Sequence, residues 1–390
     1  MPFTCLALVA LAPMLVSLQP PAEAELAPRD LSGVLAPLAA EHKIPAMAAA
    51  VVRGETVVGL GVTGVRKSGD GTPATIEDKW HLGSNTKAMT ATLCALLVEE
   101  GVLRWDRTLG ETFADVPMHE RWKPVTLEQL LTNRAGMPAD LDRDGLWASL
   151  WRHTGTPTEA RRALLIGVLK HPPEHEPGTE FLYSNAGFAV AGHMAETVTG
   201  TAFEKLIRER LFDQLEMASV GFGAPGERVK RGKGADGKEA TSVLDQPRGH
   251  RANGTAVEPG PGADNPVAIG PAGTVHCTIG DWAKFVALHL QGARGKPRLL
   301  TAESFLKLHT PAAGQGADRY AMGWGVTKRG WAGDHENVLT HAGSNTMWFS
   351  VAWLAPDKDF AVLVVCNKGG DAAAKACDAV AAKLIGEMLK

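Results

Sequence analysis

The chain has 390 residues, of which 45% are hydrophobic and 21% charged, and its formal net charge is −3. That is the make-up of an ordinary globular protein, long enough for one large unit or two interlocked ones with ample core. The near-balanced charge argues against a nucleic-acid or anionic-membrane surface. Five cysteines in such a length are far from a disulfide-dense scaffold.

The N-terminus differs from the rest. Residues 6–12 and 14–16 form an apolar run broken by Pro13, followed by the small-x-small pattern Ala22-Glu23-Ala24. An apolar core with that ending predicts a signal peptide over residues 1–24 and an exported (periplasmic or secreted) protein with no membrane span in the mature chain. The segment before the run carries no Lys or Arg, which departs from the usual pattern. Cys5 would leave with it. Cys94 and Cys377 sit at apolar helical positions and are expected as buried thiols, while a pairing of Cys366 with Cys377 stays open.

In chain order, Asp30-Leu31-Ser32 can start a short helix to about His42. The β-branched runs 47–52 and 56–62 flank Arg53-Gly54-Glu55, which suits a hairpin. An apolar helical run follows Ser84 and should stop near Gly101. Thr126-Leu127-Glu128-Gln129 has capping-box form and opens a helix over 127–131. Helical patterns continue over 157–169, 186–199 and 203–215. Residues 223–265 are rich in Gly, Pro and charge (with Arg228, Lys230, Arg231 and Lys233 clustered), and predict a long solvated loop. Residues 347–354 and 360–366 are strand-like and joined by a hairpin-type connection. A final helix opens at Asp371, with Ala373, Cys377, Val380, Leu384 and Met388 in one stripe.

Strands at both ends with helices between predict an α/β (α+β) fold. It would have an antiparallel sheet flanked by N- and C-terminal helices and an inserted, mainly helical domain. The expected division is 25–84 with 270–390 for the sheet and 85–269 for the helices.

Chemistry concentrates in three places. In Gly83-Ser84-Asn85-Thr86-Lys87 the serine and lysine are three apart, so on one helical face they can meet. A free backbone N–H at that helix start can face an oxyanion. The spacing alone is cheap: Ser304-Phe305-Leu306-Lys307 repeats it without the glycine, on an expected surface helix. The second place is Tyr183-Ser184-Asn185, directly before a helix, in a chain with only two tyrosines. A phenol beside a lysine can pass a proton; a core tyrosine and a capping asparagine are the plainer account of that pair taken alone. The third is His341-Ala342-Gly343-Ser344-Asn345, where a polar group and a glycine stand at the expected start of a strand. A backbone N–H after that glycine can donate to an oxyanion.

Together, and in this order, these segments resemble the serine β-lactamase-like, penicillin-binding family, in the branch of class C β-lactamases, D-alanyl-D-alanine carboxypeptidases and related esterases. The resemblance runs from about Leu31 to the C-terminus. It is supported by residues 130–138, by Gly270-Pro271-Ala272-Gly273 with Asp281-Trp282-Ala283-Lys284-Phe285, and by Tyr320-Ala321-Met322-Gly323-Trp324-Gly325. It implies a β-lactamase/transpeptidase-like fold and a serine acyl hydrolase working through an acyl-serine ester, with no cofactor and no metal. By position, Ser84 would be the nucleophile, Lys87 its proton acceptor and Tyr183 the proton relay. Asn185 would hold the substrate amide and orient Lys87. Ser84 and Ser344 would supply the oxyanion N–H groups beside His341 and Gly343. The partner would be a small-molecule or peptide substrate, with oligomeric state open.

One departure from the family pattern bears on the substrate. His341-Ala342-Gly343 stands where family β-lactamases carry Lys-Thr-Gly, so a hydroxyl expected to bind a substrate carboxylate is missing. That lowers β-lactamase and carboxypeptidase and raises esterase or another acyl hydrolase. The expected enzyme therefore acts on an ester or amide as an esterase or D-Ala-D-Ala-type peptidase, with a class C-like β-lactamase as an alternative. A non-catalytic, peptidoglycan-like ligand-binding member is the remaining alternative, against which all the nucleophilic parts count. Asn133-Arg134 also replaces the usual His-Thr. The paired histidines of His171-Pro172-Pro173-Glu174-His175 are separated by prolines that forbid a shared helical face, so solvated loop residues are expected there.

Overall fold

The computed structural model describes Met1 and residues 27–227, 232–233, 239–240, 244–312 and 320–389. The expected signal segment therefore falls almost wholly outside the described residues. So do Arg228, Lys230, Arg231 and the side chain of Lys233.

The chain opens with β1 (Arg29–Asp30), α1 (Ser32–Glu41), β2 (Ala46–Arg53) and β3 (Thr56–Gly64). The Asp30 carboxylate accepts the Ser32 N–H at 2.9 Å and so starts α1. Gly54, at φ 59°, makes the β2–β3 turn. Then come β4 (Lys79–His81), α2 (Thr86–Glu99), α3 (Leu109–Thr112), α4 (Leu127–Leu131), α5 (Leu146–Trp151), α6 (Pro157–Leu169), α7 (Asn185–Thr199) and α8 (Phe203–Ile207). Capping boxes begin three of these helices, at Thr108 with Glu111, Thr126 with Gln129 and Thr156 with Glu159. Past α8 the chain does not continue as one α-helix to Leu215. It makes a π turn over Arg208–Phe212 and a 3-10 turn over Asp213–Leu215. The buried pairs Leu206-Ile207 and Leu211-Phe212 are five residues apart, a spacing that a π turn, not an α-helix, keeps on one face.

The second half contains the short strands β5 (Gly221–Phe222), β6 (Gly232–Lys233), β7 (Glu239–Ala240), β8 (Gly249–His250) and β9 (Ala256–Val257). Then follow α9 (Gly270–Gly273), β10 (Val275–Thr278), α10 (Ile279–Ala293), α11 (Ala302–His309), β11 (Gly325–Lys328), β12 (Asn337–Ser344), β13 (Phe349–Ala355), β14 (Phe360–Cys366) and α12 (Asp371–Met388).

Among the described residues the main sheet has the order β1-β3-β2-β14-β13-β12-β11. Its pairings are antiparallel except the two-residue β1–β3 contact. The N-terminal β2 lies beside the C-terminal β14, with Met47 opposite Cys366, so both ends of the chain build one sheet. β14 is buried along its whole length and β2 in all but Arg53, because helices cover both faces. α1 and α12 pack on one face, and α2 and α10 belong to the large core on the other. That explains continuous apolar runs in place of alternation. A smaller sheet, β4-β10-β5, leads into α2.

Two sequence expectations are corrected. His341 to Ser344 do not open a strand. They end one, β12, paired through His341↔Ala352 and Ser344↔Phe349 with β13, which begins only at Phe349. The polar and glycine positions conceal β12, whose buried residues include Val338, Leu339, His341 and Gly343. Second, the described part of 223–265 is not a solvated excursion. Arg248 is 1% exposed and is bound by Asp245, Glu258 and the Gln246 and Glu227 carbonyls. His250, fully buried, accepts the Ser68 N–H and bonds the Asn367 carbonyl. Polar groups that satisfy one another can be buried without any apolar signal in the sequence.

Candidate active site

The turn carrying Ser84 is fixed by backbone contact. Ser84 lies in a 3-10 turn, Gly83–Asn85, between β4 and α2, rather than in the α-helix itself. A Cβ on Gly83 would stand 2.4 Å from Ser344 N. One on Gly343 would stand 2.0 Å from Leu82 O and 2.8 Å from Ser84 N. Two glycines thus let the turn touch the end of β12, which brings the Ser84 and Ser344 backbone amides side by side. From the sheet side Ser350 ties the turn down: its Oγ–H donates to Leu82 O and its Oγ accepts from Asn85 Nδ2, both at 2.8 Å.

Lys87 is fully buried. Its Nζ is 2.7 Å from Asn185 Oδ1, 2.8 Å from Ala272 O and 3.1 Å from Ser84 Oγ. Burial pushes its pKa well below the ordinary lysine value. A neutral amine has two hydrogens and one lone pair. Two carbonyl-type oxygens, which can only accept, take both hydrogens, and the lone pair is left for the Ser84 hydroxyl. Ala272 is held in place by the Pro271 carbonyl, which accepts the Thr90 Oγ1–H at 2.6 Å, and by a glycine, Gly192, whose Cβ would strike Pro271 at 2.4 Å.

Tyr183 and Asn185 are positioned by the segment that departs from the family pattern. Asn133, at φ 56°, accepts the Leu182 N–H on its carbonyl at 2.8 Å and the Ser184 N–H on Oδ1 at 3.1 Å. Its two bonds bracket Tyr183. The Arg134 carbonyl accepts the Gly178 N–H at 2.7 Å and extends the same pairing. Ser184 caps α7, accepting the Ala186 N–H at 3.1 Å, so Asn185 is free of the capping role and turns to Lys87. The Tyr183 ring lies 4.7 Å from Lys87 Nζ. Burial raises its phenol pKa to about 12, partly offset by a hydrogen bond with Ser84.

His341 is buried and neutral. Burial first, then the neighbouring Lys87, lowers its pKa to about 3 against the opposing Ala342 carbonyl. Its Nδ1–H donates to that carbonyl at 2.7 Å, and its Nε2, 3.1 Å from the Tyr320 oxygen, accepts the phenol hydrogen. Tyr320 is a site residue that sequence reasoning placed only in a supporting segment. The two tyrosines of the chain meet here, with ring centroids 6.1 Å apart and planes at 86°. Their rarity was a signal available in the sequence. Asn133 and the Ala272 carbonyl were also missed, because neither is chemically distinctive. A cavity of about 240 Å³ opens beside Asn185, lined by Asp140, Leu141, Asp142, Trp147 and Asn265 among others.

The other candidates lie elsewhere. Ser304 bonds Thr301 at the start of α11, and Lys307 pairs with Glu128 at 2.6 Å. His171 bonds Asp144 at 2.9 Å and His175 lies 3.7 Å from Glu180.

The beta-lactamase family model matches residues 31–386. Penicillin-binding protein 4 of Amycolatopsis lactamdurans is 28% identical over 343 residues, covering 85% of this chain and 83% of that one. Protein flp of Staphylococcus aureus strain MRSA252 is 24% identical over 312 residues. The match covers 79% of this chain but only 56% of flp, so the chain spans little more than half of that relative. Among solved structures, the octameric penicillin-binding protein homologue from Pyrococcus abyssi has a TM-score of 0.71 at 22% identity, covering 92% of this chain and 77% of that one. The D-alanine carboxypeptidase AmpC from Burkholderia cenocepacia has a TM-score of 0.66 at 21% identity, covering 90% and 96%. These structures share the fold. A family match spanning nearly the whole chain, laid over a buried lysine against a serine, places the protein in the beta-lactamase family, whose chemistry is of the serine-hydrolase type.

Proposed function

We propose that the protein hydrolyses esters, or amides lacking a carboxylate next to the scissile bond, through an acyl-Ser84 intermediate. The observation that carries this is the three-way contact of Lys87 Nζ, which leaves its lone pair facing Ser84 Oγ. Lys87 takes the Ser84 proton as Oγ attacks the substrate carbonyl carbon. The Ser84 and Ser344 N–H groups receive the oxyanion. Tyr183, a phenol protonated at neutral pH, gives its hydrogen to the leaving oxygen or nitrogen and recovers one from the neighbouring Lys87, whose Nζ lies 4.7 Å from the centre of its ring. In the second half, water loses a proton to the same pair, attacks the acyl carbon, and Ser84 leaves with its hydrogen restored.

Electrostatics support the ester reading. His341 is neutral with both ring nitrogens engaged, Ala342 has no hydroxyl, and Asp140 and Asp142 line the adjoining cavity. No cation among these groups would meet a substrate carboxylate, and the two aspartates repel one. A penicillin or a D-Ala-D-Ala peptide is therefore the second reading. Turnover of p-nitrophenyl acetate and butyrate, a D-Ala-D-Ala peptide and a cephalosporin, measured side by side, tests this. Ester kcat/KM should exceed the other two; preference for the cephalosporin or the peptide would reverse the assignment, and no turnover of any would favour a ligand-binding protein.

A further inference from the structure

The Ser84 turn is tied to the sheet by Ser350, and on its other side it is tied to a carboxylate that the mechanism does not use. Gly83 N–H donates to His81 Nδ1 at 3.1 Å. A ring nitrogen that accepts carries no hydrogen, so His81 holds its hydrogen on Nε2 and gives it to Asp264 Oδ2 at 2.8 Å. The second oxygen, Oδ1, accepts from Asn345 Nδ2 at 3.0 Å. Asn345 Oδ1 in turn accepts the Met347 and Trp348 N–H groups, each at 3.1 Å. His81 is fully buried, Asn345 is 3% exposed and Asp264 6%.

Gly83 immediately precedes Ser84, and Asn345 immediately follows Ser344. We propose that Asp264 is the positioning residue of the oxyanion hole, one carboxylate bracing the turn before one donor and the turn after the other. The inference rests on the acyl-transfer reading above. A directional bond in a dry interior fixes an orientation that apolar packing leaves loose, and water competes with it little. The brace also explains what the polar 244–265 segment contributes: it delivers Asp264 behind the site. An amide cannot replace the carboxylate, because it has only one acceptor atom while both His81 and Asn345 donate.

The test is Asp264→Asn, with Asn345→Ala as the variant that cuts one arm if the first fails to fold. Two readouts are taken. The first is kcat/KM on a p-nitrophenyl ester against its thionoester, whose sulfur accepts hydrogen bonds poorly. An intact oxyanion hole favours the ester, so the ester rate should fall about 100-fold with KM nearly unchanged, and the ester-to-thionoester ratio should fall with it. A loss of folded enzyme would lower both substrates equally. The second readout, independent of turnover, is hydrogen–deuterium exchange in peptides covering residues 82–85 and 343–346, expected to quicken in the variants. Unchanged exchange, or an unchanged ester-to-thionoester ratio in a folded variant, overturns the proposal. If wild type turns over neither substrate, the hydrolase reading fails, while the exchange readout still decides whether Asp264 braces these turns.

Discussion

Lys87 Nζ stands 2.7 Å from Asn185 Oδ1, an oxygen that can only accept. In the neutral amine that burial favours, that contact and Ala272 O on another side take both hydrogens and turn the lone pair to Ser84.

The pH dependence follows with a definite sign. Burial lowers the Lys87 pKa below 10.5 in the folded chain. Between that lowered value and 10.5 the unfolded chain holds the extra proton, so stability rises with pH across the window. Urea denaturation from pH 6 to 11 should show wild type gaining on Lys87→Met by up to about 1.4 kcal/mol per pH unit inside the window. Acylation of wild type should fall on the acid side of the same folded pKa. Parallel stability curves for the two proteins would contradict a neutral Lys87.

Tyr183, raised to about 12, keeps its proton at neutral pH, which suits the proposed donor role. Tyr183→Phe should slow hydrolysis of an ethyl ester about 10²- to 10⁴-fold. Compared by kcat/KM, which reports acylation and not the shared deacylation step, a p-nitrophenyl ester, whose leaving group needs no proton, should suffer far less. Equal losses on both esters would remove the donor role.

Ala342 is exposed next to the buried His341 and Gly343. Restoring a hydroxyl there, as Ala342→Thr, adds one donor for a substrate carboxylate. A hydrogen bond to a charged group supports about a 10- to 100-fold rise in kcat/KM on a D-Ala-D-Ala peptide, with ester turnover little changed. No rise on the peptide would show that this hydroxyl is not what separates the substrate classes.

Gly343→Ala should destabilise the protein by about 1–3 kcal/mol and remove activity, since its Cβ would sit 2.0 Å from Leu82 O. Gly33→Ala, with nothing within 4 Å of its Cβ, is the control. Thermal melts of the two variants check the difference.

Cys94, Cys277, Cys366 and Cys377 are all free and buried. Burial lifts the Cys94 thiol to about 12 and pushes Cys277 and Cys377 well up. Ellman's reagent should therefore leave these four untouched in native protein and titrate them after unfolding. Rapid reaction of the native protein would contradict the packing around them.

The sheet hairpins and several helices were legible because their signals are local: Gly54 at the β2–β3 turn, the Thr126–Gln129 capping box, and the apolar stripe of α12. Ser84, Lys87, Tyr183 and Asn185 were legible as residue types in order, and the fold brings them together. What stayed hidden depends on distant partners. β12 was concealed because His341, Gly343 and Ser344 break the apolar pattern, although the strand is fixed by pairing with β13. The importance of Asn133 lies in backbone bonds on both sides of Tyr183, and Tyr320 acquires meaning only beside His341. The burial of Arg248 and Asp264 rests on charge and hydrogen-bond partners that no hydropathy scan registers.

The central claim is the covalent one. Wild type and Ser84→Ala should be incubated with a fluorophosphonate and a p-nitrophenyl ester, quenched in acid, and the labelled peptide mapped by mass spectrometry. The account predicts one adduct on Ser84 in wild type and none in the variant; an adduct of undiminished yield in Ser84→Ala, or one mapped to another residue, would contradict it.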